Sequence, residues 1–221
     1  MTDRLSVANL ALVKMGASDT IVAPDQDSHA ARTIASVWDD VRRACIRGGR
    51  KAPRWNFAEE YAETPARAIS AGKPLPFGWS GAFPAPDGAL RLAEIVDPVT
   101  SDDGWKFASG EVLLRGSGPL RAWWLFDVPE VALWDALFVQ CFAARLAYET
   151  VDRIAADLAR KSALWNEYEA NLSAATKVDA RENPPVEPEE SSWVAARGAG
   201  SGAGWYANGS WPGRGWNAGP K

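Results

Sequence analysis

WDALFVQCFAARLAYETVD, residues 134–152, is the stretch on which the fold turns. Leu133, Trp134, Leu137, Phe138, Val139, Cys141, Phe142, Leu146 and Tyr148 cover most of the circumference of a helix, so the segment predicts a helix buried on nearly every side. Asp135, Gln140 and Arg145 interrupt it, and nothing in the chain approaches roughly 18 uninterrupted apolar residues, so it reads as a central core helix and not a membrane span. Just upstream, Asp127, Pro129 and Glu130 compose a helix start: Asp at the cap, proline in the first turn, a carboxylate three residues after the cap.

Working outward, Ile154, Leu158, Trp165, Tyr168, Leu172 and Ala175 recur at a 4, 3 spacing that skips only Lys161. That is the stripe of a long helix lying along another, ending at about Val178. Toward the N-terminus, Leu5, Ala8, Leu12 and Met15 predict a first helix from about 4 to 15, with Gly16 as its left-handed cap. Ser28 caps a second, on which Ala30, Ile34, Val37, Val41, Ala44 and Cys45 form the buried stripe and which Gly48 and Gly49 stop.

Between 53 and 128 the texture changes to Pro, Gly and short aromatic or β-branched runs. Strands are expected at 90–96, 105–107, 111–115 and 120–126, with Gly116, Ser117 and Gly118 joining the last two as a hairpin. Trp123 and Trp124 then point to opposite faces, one into the core and the other covered by the helices or by a neighbouring subunit. The whole reads as a mainly α fold: an antiparallel four-helix bundle, residues 1–178, with a small antiparallel β region inserted at about 58–128 and an extended C-terminal arm. The arm divides into an acidic, proline-rich part, 179–197, and a Gly/Trp-rich extension, 198–221.

A domain of this length buries roughly 70% of its unfolded surface and needs no staple. Cys45 and Cys141, the only cysteines, lie on apolar helical faces and read as two buried thiols in a reducing compartment, the alternative being a disulfide. The sole histidine, His29, follows a helix cap and reads as a surface side chain. No metal site, no Ser/His/Asp arrangement and no phosphate-binding glycine motif is spaced for chemistry, so neither a cofactor nor catalysis is expected. The N-terminus lacks the basic start and long apolar run of a signal peptide, which reads as a protein made in the cytoplasm. A net charge of −4 argues against a general nucleic-acid binder.

The charge is unevenly spread. Arg42, Arg43, Arg47, Arg50, Lys51 and Arg54 form a basic cluster with no acid among them, whereas 179–190 holds Asp179, Glu182, Glu187, Glu189 and Glu190 against one Arg. The cluster could simply complement the helix dipole, contact a subunit or face DNA. Beyond it lies the tail, SSWVAARGAGSGAGWYANGSWPGRGWNAGPK, 191–221. Eight of the 24 residues from Gly198 onward are glycine, which opposes ordering, yet Trp193, Trp205, Trp211 and Trp216 are anchors and not spacer residues. A stacking platform for sugars or single-stranded nucleic acid would need rigid strands. Membrane insertion would need a basic amphipathic helix. An arm that orders on a partner protein, through Ser192, Trp193, Arg197, Trp205, Tyr206, Trp211, Arg214 and Trp216, fits best.

Five segments, in order, carry a resemblance: ANLALVKMGA (8–17), AARTIASVWDDVRRACIRGGRKAPRWNFA (30–58), PAPDGALRLAEIV (84–96), the 134–152 stretch, and DARENPPVEPEESSWVAAR (179–197). Together they resemble the tail tubular protein A family of phage head-to-tail adaptors. The resemblance implies a virion protein of the neck, made in the bacterial host: a homo-oligomeric ring, typically twelvefold, beneath the portal protein, with the tail nozzle or tube below and DNA passing through its lumen without sequence recognition. Ser192, Trp193 and Arg197 match the family's C-terminal arm, which reaches neighbouring subunits or the portal. The extension beyond Gly198 has no counterpart in it. A Trp-rich module binding carbohydrate or single-stranded nucleic acid is the alternative.

Overall fold

The structure, a computed structural model, describes residues 3–49, 52–70, 72–96, 104–115, 118–155 and 157–182. Among the described residues four helices form: α1 (Arg4–Met15), α2 (His29–Arg47), α3 (Ala136–Ile154) and α4 (Leu158–Glu182). Six strands fall between α2 and α3: β1 (Glu59–Thr64), β2 (Gly81–Pro84), β3 (Ala89–Ile95), β4 (Trp105–Ala108), β5 (Glu111–Leu114) and β6 (Leu120–Phe126).

Local signals set most helix ends. Asp3 and Ser6 close a capping box on α1, and Gly16 ends it in the left-handed region at φ 74°. Ser28 caps α2 by accepting from the Ala31 N–H. The start of α3 departs from expectation: the chain is extended at Glu130, makes a 3-10 turn at Val131–Leu133, and enters the helix at Ala136. Asp135, not Asp127, is the cap, accepting from the Leu137 N–H at 2.7 Å.

Helix α3 is the hub. Phe138, Cys141, Phe142, Ala143, Ala144, Leu146, Ala147 and Val151 are all fully buried. Its three buried alanines let neighbours approach closely, while Trp134, Phe138 and Phe142 knit with Trp38 and Trp55 in edge-to-face contacts at 4.8–5.0 Å. The indole N–H of Trp55 donates to the Cys45 carbonyl, and that of Trp134 to the Val128 carbonyl.

The fold class nevertheless differs from a mainly α four-helix bundle. About 49% of the described residues are helical and 20% lie in strands, in two three-stranded antiparallel sheets ordered β1-β6-β3 and β2-β5-β4, which makes the fold α+β. The physical reason lies in β6. Leu120, Ala122 and Trp124 pack with Phe83 of β2 and with Val112 and Leu114 of β5, a second core between the sheets, whereas Leu125 joins the helical core. Apolar residues that a bundle with a minor insertion would spend on the helices are spent on the other sheet.

The expected hairpin between the strands at 111–115 and 120–126 is not there: β5 pairs with β2 and β4, and β6 with β1 and β3. The true hairpin is β4–β5, turned by Ser109 and Gly110, both at positive φ (52° and 76°) as a type I′ turn requires. Strands β1 and β2 are two that the sequence did not announce. Helix α4 continues to Glu182, so Asp179 and Glu182 stand in its last turns.

Candidate functional site

The basic cluster is sorted by carboxylates that arrive from elsewhere. Arg42, only 4% exposed, grips Asp127 with two donors, Nε to Oδ1 at 2.7 Å and Nη2 to Oδ2 at 2.8 Å, and also reaches Asp39. Arg43 Nε donates to Asp127 Oδ2 at 2.9 Å. The Arg42 hydrogen bonds, with those from Arg43, hold the Asp127 carboxyl below the usual carboxylate range, and Asp127 in turn pushes the Arg42 guanidinium up. Arg54 meets Glu94 at 2.6 Å and Glu59 at 3.6 Å, and its backbone N–H donates to Asp179 Oδ2. Arg50 and Lys51 lie outside the described residues.

Arg47 is the exception within the cluster. Its Nη1 donates to the Leu90 carbonyl at 3.0 Å. Beside it comes Arg91 of β3, which sequence reasoning missed, whose Nη1 donates to the Gly49 carbonyl at 3.0 Å and whose buried Nε has no partner. Among the described residues, no carboxylate reaches ion-pair distance of either guanidinium. Burial first, then the charges of Arg54 and Arg47, lower the Arg91 pKa.

These two arginines line a cleft of about 190 Å³ with Leu90, Leu92, Trp105, Phe107 and Trp124. Trp105 and Phe107 stand two residues apart on β4, opposite Leu114 and Val112 and so on the same face. Because β4 is an edge strand, both rings are left half-exposed, at 47% each, and Trp124 is 1% exposed with its indole N–H unpartnered. Cationic and N–H donors beside flat apolar rings suit a ligand that brings acceptors and a flat apolar group together.

Two further surfaces matter. Tyr61 and Trp123, cross-strand partners on β1 and β6, meet edge-on at 5.5 Å and remain exposed, so the second of the paired tryptophans is not covered by the helices. A groove of about 280 Å³ lies among Trp55, Phe57, Leu133, Val178, Asp179 and Glu182. There Glu182 accepts from Asn56 Nδ2 at 2.6 Å, so the acidic residues at the end of α4 are engaged with the turn after the basic cluster in the same chain. Glu187, Glu189, Glu190, Ser192, Trp193, Arg197, Trp205, Tyr206, Trp211, Arg214 and Trp216 lie outside the described residues.

Among the described residues no group of three or more His, Cys, Asp and Glu could hold a metal ion. Burial pushes the thiols of Cys45 and Cys141 up to about 12, so both stay protonated, and neither is in a disulfide. His29 Nε2 lies 3.1 Å from the Arg153 carbonyl at the surface. No protein-family model matches the chain, and no curated protein matches it.

Proposed function

We propose that this chain is a structural subunit, a head-to-tail adaptor that forms a ring between the portal and the tail nozzle or tube of a phage virion, with its C-terminal arm docking on the portal or on neighbouring subunits and DNA passing through the lumen. The observation that carries it is the ordered series of five segments between 8 and 197 that resemble the adaptor family. The surface supports the same reading. Large aromatic side chains are half-exposed at two places, Tyr61 with Trp123 and Trp105 with Phe107, and such apolar surface on a domain of this size marks contact with other proteins. Among the described residues no helix is long and apolar enough to cross a membrane.

Mechanism under this reading is assembly without turnover. The indoles of the C-terminal arm enter pockets that the partner offers, and this contact seats the subunit. The test mixes the purified full chain with portal rings and images the product by negative stain. Rings of the chain seated on the portal are the expected result, and a chain ending at Arg197 should fold but dock weakly. A monomer that ignores portal rings and instead binds oligosaccharides or single-stranded oligonucleotides would overturn the adaptor reading in favour of a Trp-rich binding module.

A further inference from the structure

We propose that Phe77, at the tip of the loop between β1 and β2, is a knob that enters the groove framed by Trp55, Phe57, Leu133 and Val178 on a second copy of the chain. The inference deepens the adaptor reading and rests on it only for the presence of a neighbouring copy.

The tip of the loop is a tight turn. The Trp79 N–H donates to the Pro76 carbonyl at 3.2 Å, and Gly78 at φ 85° supplies the positive φ that the third residue of a type II turn requires. Phe77 is the second residue of that turn, and its side chain is fully exposed. Polar contacts fasten the chain on both sides. Arg67 donates from its backbone N–H to the Ala82 carbonyl and from Nη1 to the Lys73 carbonyl, each at 2.8 Å, and its Nε lies 2.9 Å from Oε1 of the buried Glu111. Lys73 Nζ meets the same carboxylate at 2.5 Å, and the Arg115 guanidinium lies over the Trp79 ring at 5.6 Å. An aromatic ring held out on a turn that is already fixed suits the anchor of a protein contact, because little freedom is left to lose when it is buried.

The groove is complementary in size and in charge. Its volume, about 280 Å³, has room for one aromatic ring. Within its lining Trp55 and Ala175 are buried, whereas Leu133 and Val178 are 61% and 38% exposed, so apolar surface is left uncovered there. Asp135, Asp179 and Glu182 also line it, and no Lys or Arg does so among the described residues. Asp135 and Glu182 accept from neutral donors, the Leu137 N–H and the Asn56 amide, which leave their charge in place. The knob loop has the opposite sign. Residues 65–83 contain Arg67 and Lys73 and no acid, and Glu111 cancels only one of those two charges. Opposite charge on two surfaces steers one onto the other.

Knob and groove belong to different parts of the same domain. The first lies on the connection into β2, and the second is lined by the 3-10 turns Asn56–Ala58 and Val131–Leu133 and by the last turns of α4. One copy therefore offers its knob to one neighbour and its groove to another, which is a heterologous contact. Such a contact does not stop at a dimer. It continues until the copies close into a ring or run on as a filament, and each chain supplies one groove for each knob.

The experiment reads self-association of full-length chains by sedimentation velocity over a range of concentration and salt. Phe77→Asp and Leu133→Lys each change an exposed side chain, and a urea midpoint followed by far-UV circular dichroism checks that both fold as the wild type does. Phe77→Ser and Val178→Lys replace either one that does not. The wild type should form species larger than a dimer, each variant alone should associate at least about tenfold more weakly, and salt should weaken the wild type in the same direction. Mixing the two variants should restore a one-to-one complex that grows no further, because only the knob of the Leu133→Lys chain and the groove of the Phe77→Asp chain remain. A wild type that stays monomeric or stops at a dimer would overturn the proposal, as would wild-type association by either folded variant or a mixture that fails to pair. Portal binding is measured separately on the same samples: copies that associate through knob and groove yet ignore the portal sink the adaptor reading alone, and copies that dock on the portal while both variants associate normally sink this proposal alone.

Discussion

Replacing Asp127 by Asn separates two accounts of one residue. If Asp127 were a helix cap, Asn would serve nearly as well and only Ala would cost about 1 kcal/mol. In the structure it is the shared partner of two guanidiniums at 2.7, 2.8 and 2.9 Å, and Asn offers one acceptor oxygen with an NH₂ group turned toward the cations. The Arg43 contact is made by a half-exposed side chain and contributes at most about 1 kcal/mol. Arg42 is the larger stake, since stripping the partner from a buried charge costs about 3–5 kcal/mol. Asp39 remains bonded to Arg42, but from an exposed position, which puts the expected loss near the lower end, about 3 kcal/mol. For a domain of this size that lowers Tm by about 6–12 °C, measured by far-UV circular dichroism, with urea titration giving the free energy. The pH dependence adds a second readout. Arg42 above all holds the folded Asp127 pKa below its unfolded value, so this stability is fully present above the ordinary Asp range and is lost as pH falls through the lowered folded value. Wild type and Asp127→Asn should therefore converge in acid. An Asp127→Asn chain within about 0.5 kcal/mol of wild type at neutral pH, beside a clearly weaker Asp127→Ala chain, would refute the ion-pair account and restore the cap.

Three further outcomes follow from the core and the caps. Phe142→Ala empties a fully buried ring site against Trp38 and Trp134 and should cost about 3–5 kcal/mol, read as a fall in the urea midpoint at an unchanged slope. Gly16→Ala forces a Cβ into the left-handed region at φ 74° and to 3.1 Å from Arg160 Nη1, so it should destabilise by about 1–2 kcal/mol in the same titration. At pH 8 an aromatic disulfide reagent should leave Cys45 and Cys141 almost unreacted in the native protein and label both in urea, because burial raises each thiol to about 12; rapid native labelling would refute the buried placement.

The helices were legible because their signals are local. The Ser28 cap, the left-handed Gly16 and the apolar sweep of 134–152 each work within a few residues of themselves. Asp127 was misread for the same reason. Asp, Pro and Glu at 127, 129 and 130 spell a helix start, yet Asp135 eight residues on caps the helix, and the claim on Asp127 comes from Arg42, 85 residues back. Sheet pairing is likewise nonlocal. Gly116, Ser117 and Gly118 look like a hairpin turn, but β6 is shared between β1 and β3, whose partners lie tens of residues away, and that allocation moved the fold from a bundle to α+β.

The candidate site follows the same logic in the domain of charge. A run of basic residues is not a patch until the carboxylates that fold onto it are counted. Three of the cluster lose their availability to Asp127, Glu94 and Glu59, whereas Arg47 gains a companion from a strand over 40 residues later. Arg91 gave no sequence signal of its own, since a single arginine between Leu90 and Leu92 reads as the solvent side of an alternating strand. What made it notable is partial burial beside a second cation, in a cleft that Trp105 and Phe107 of the other sheet also line.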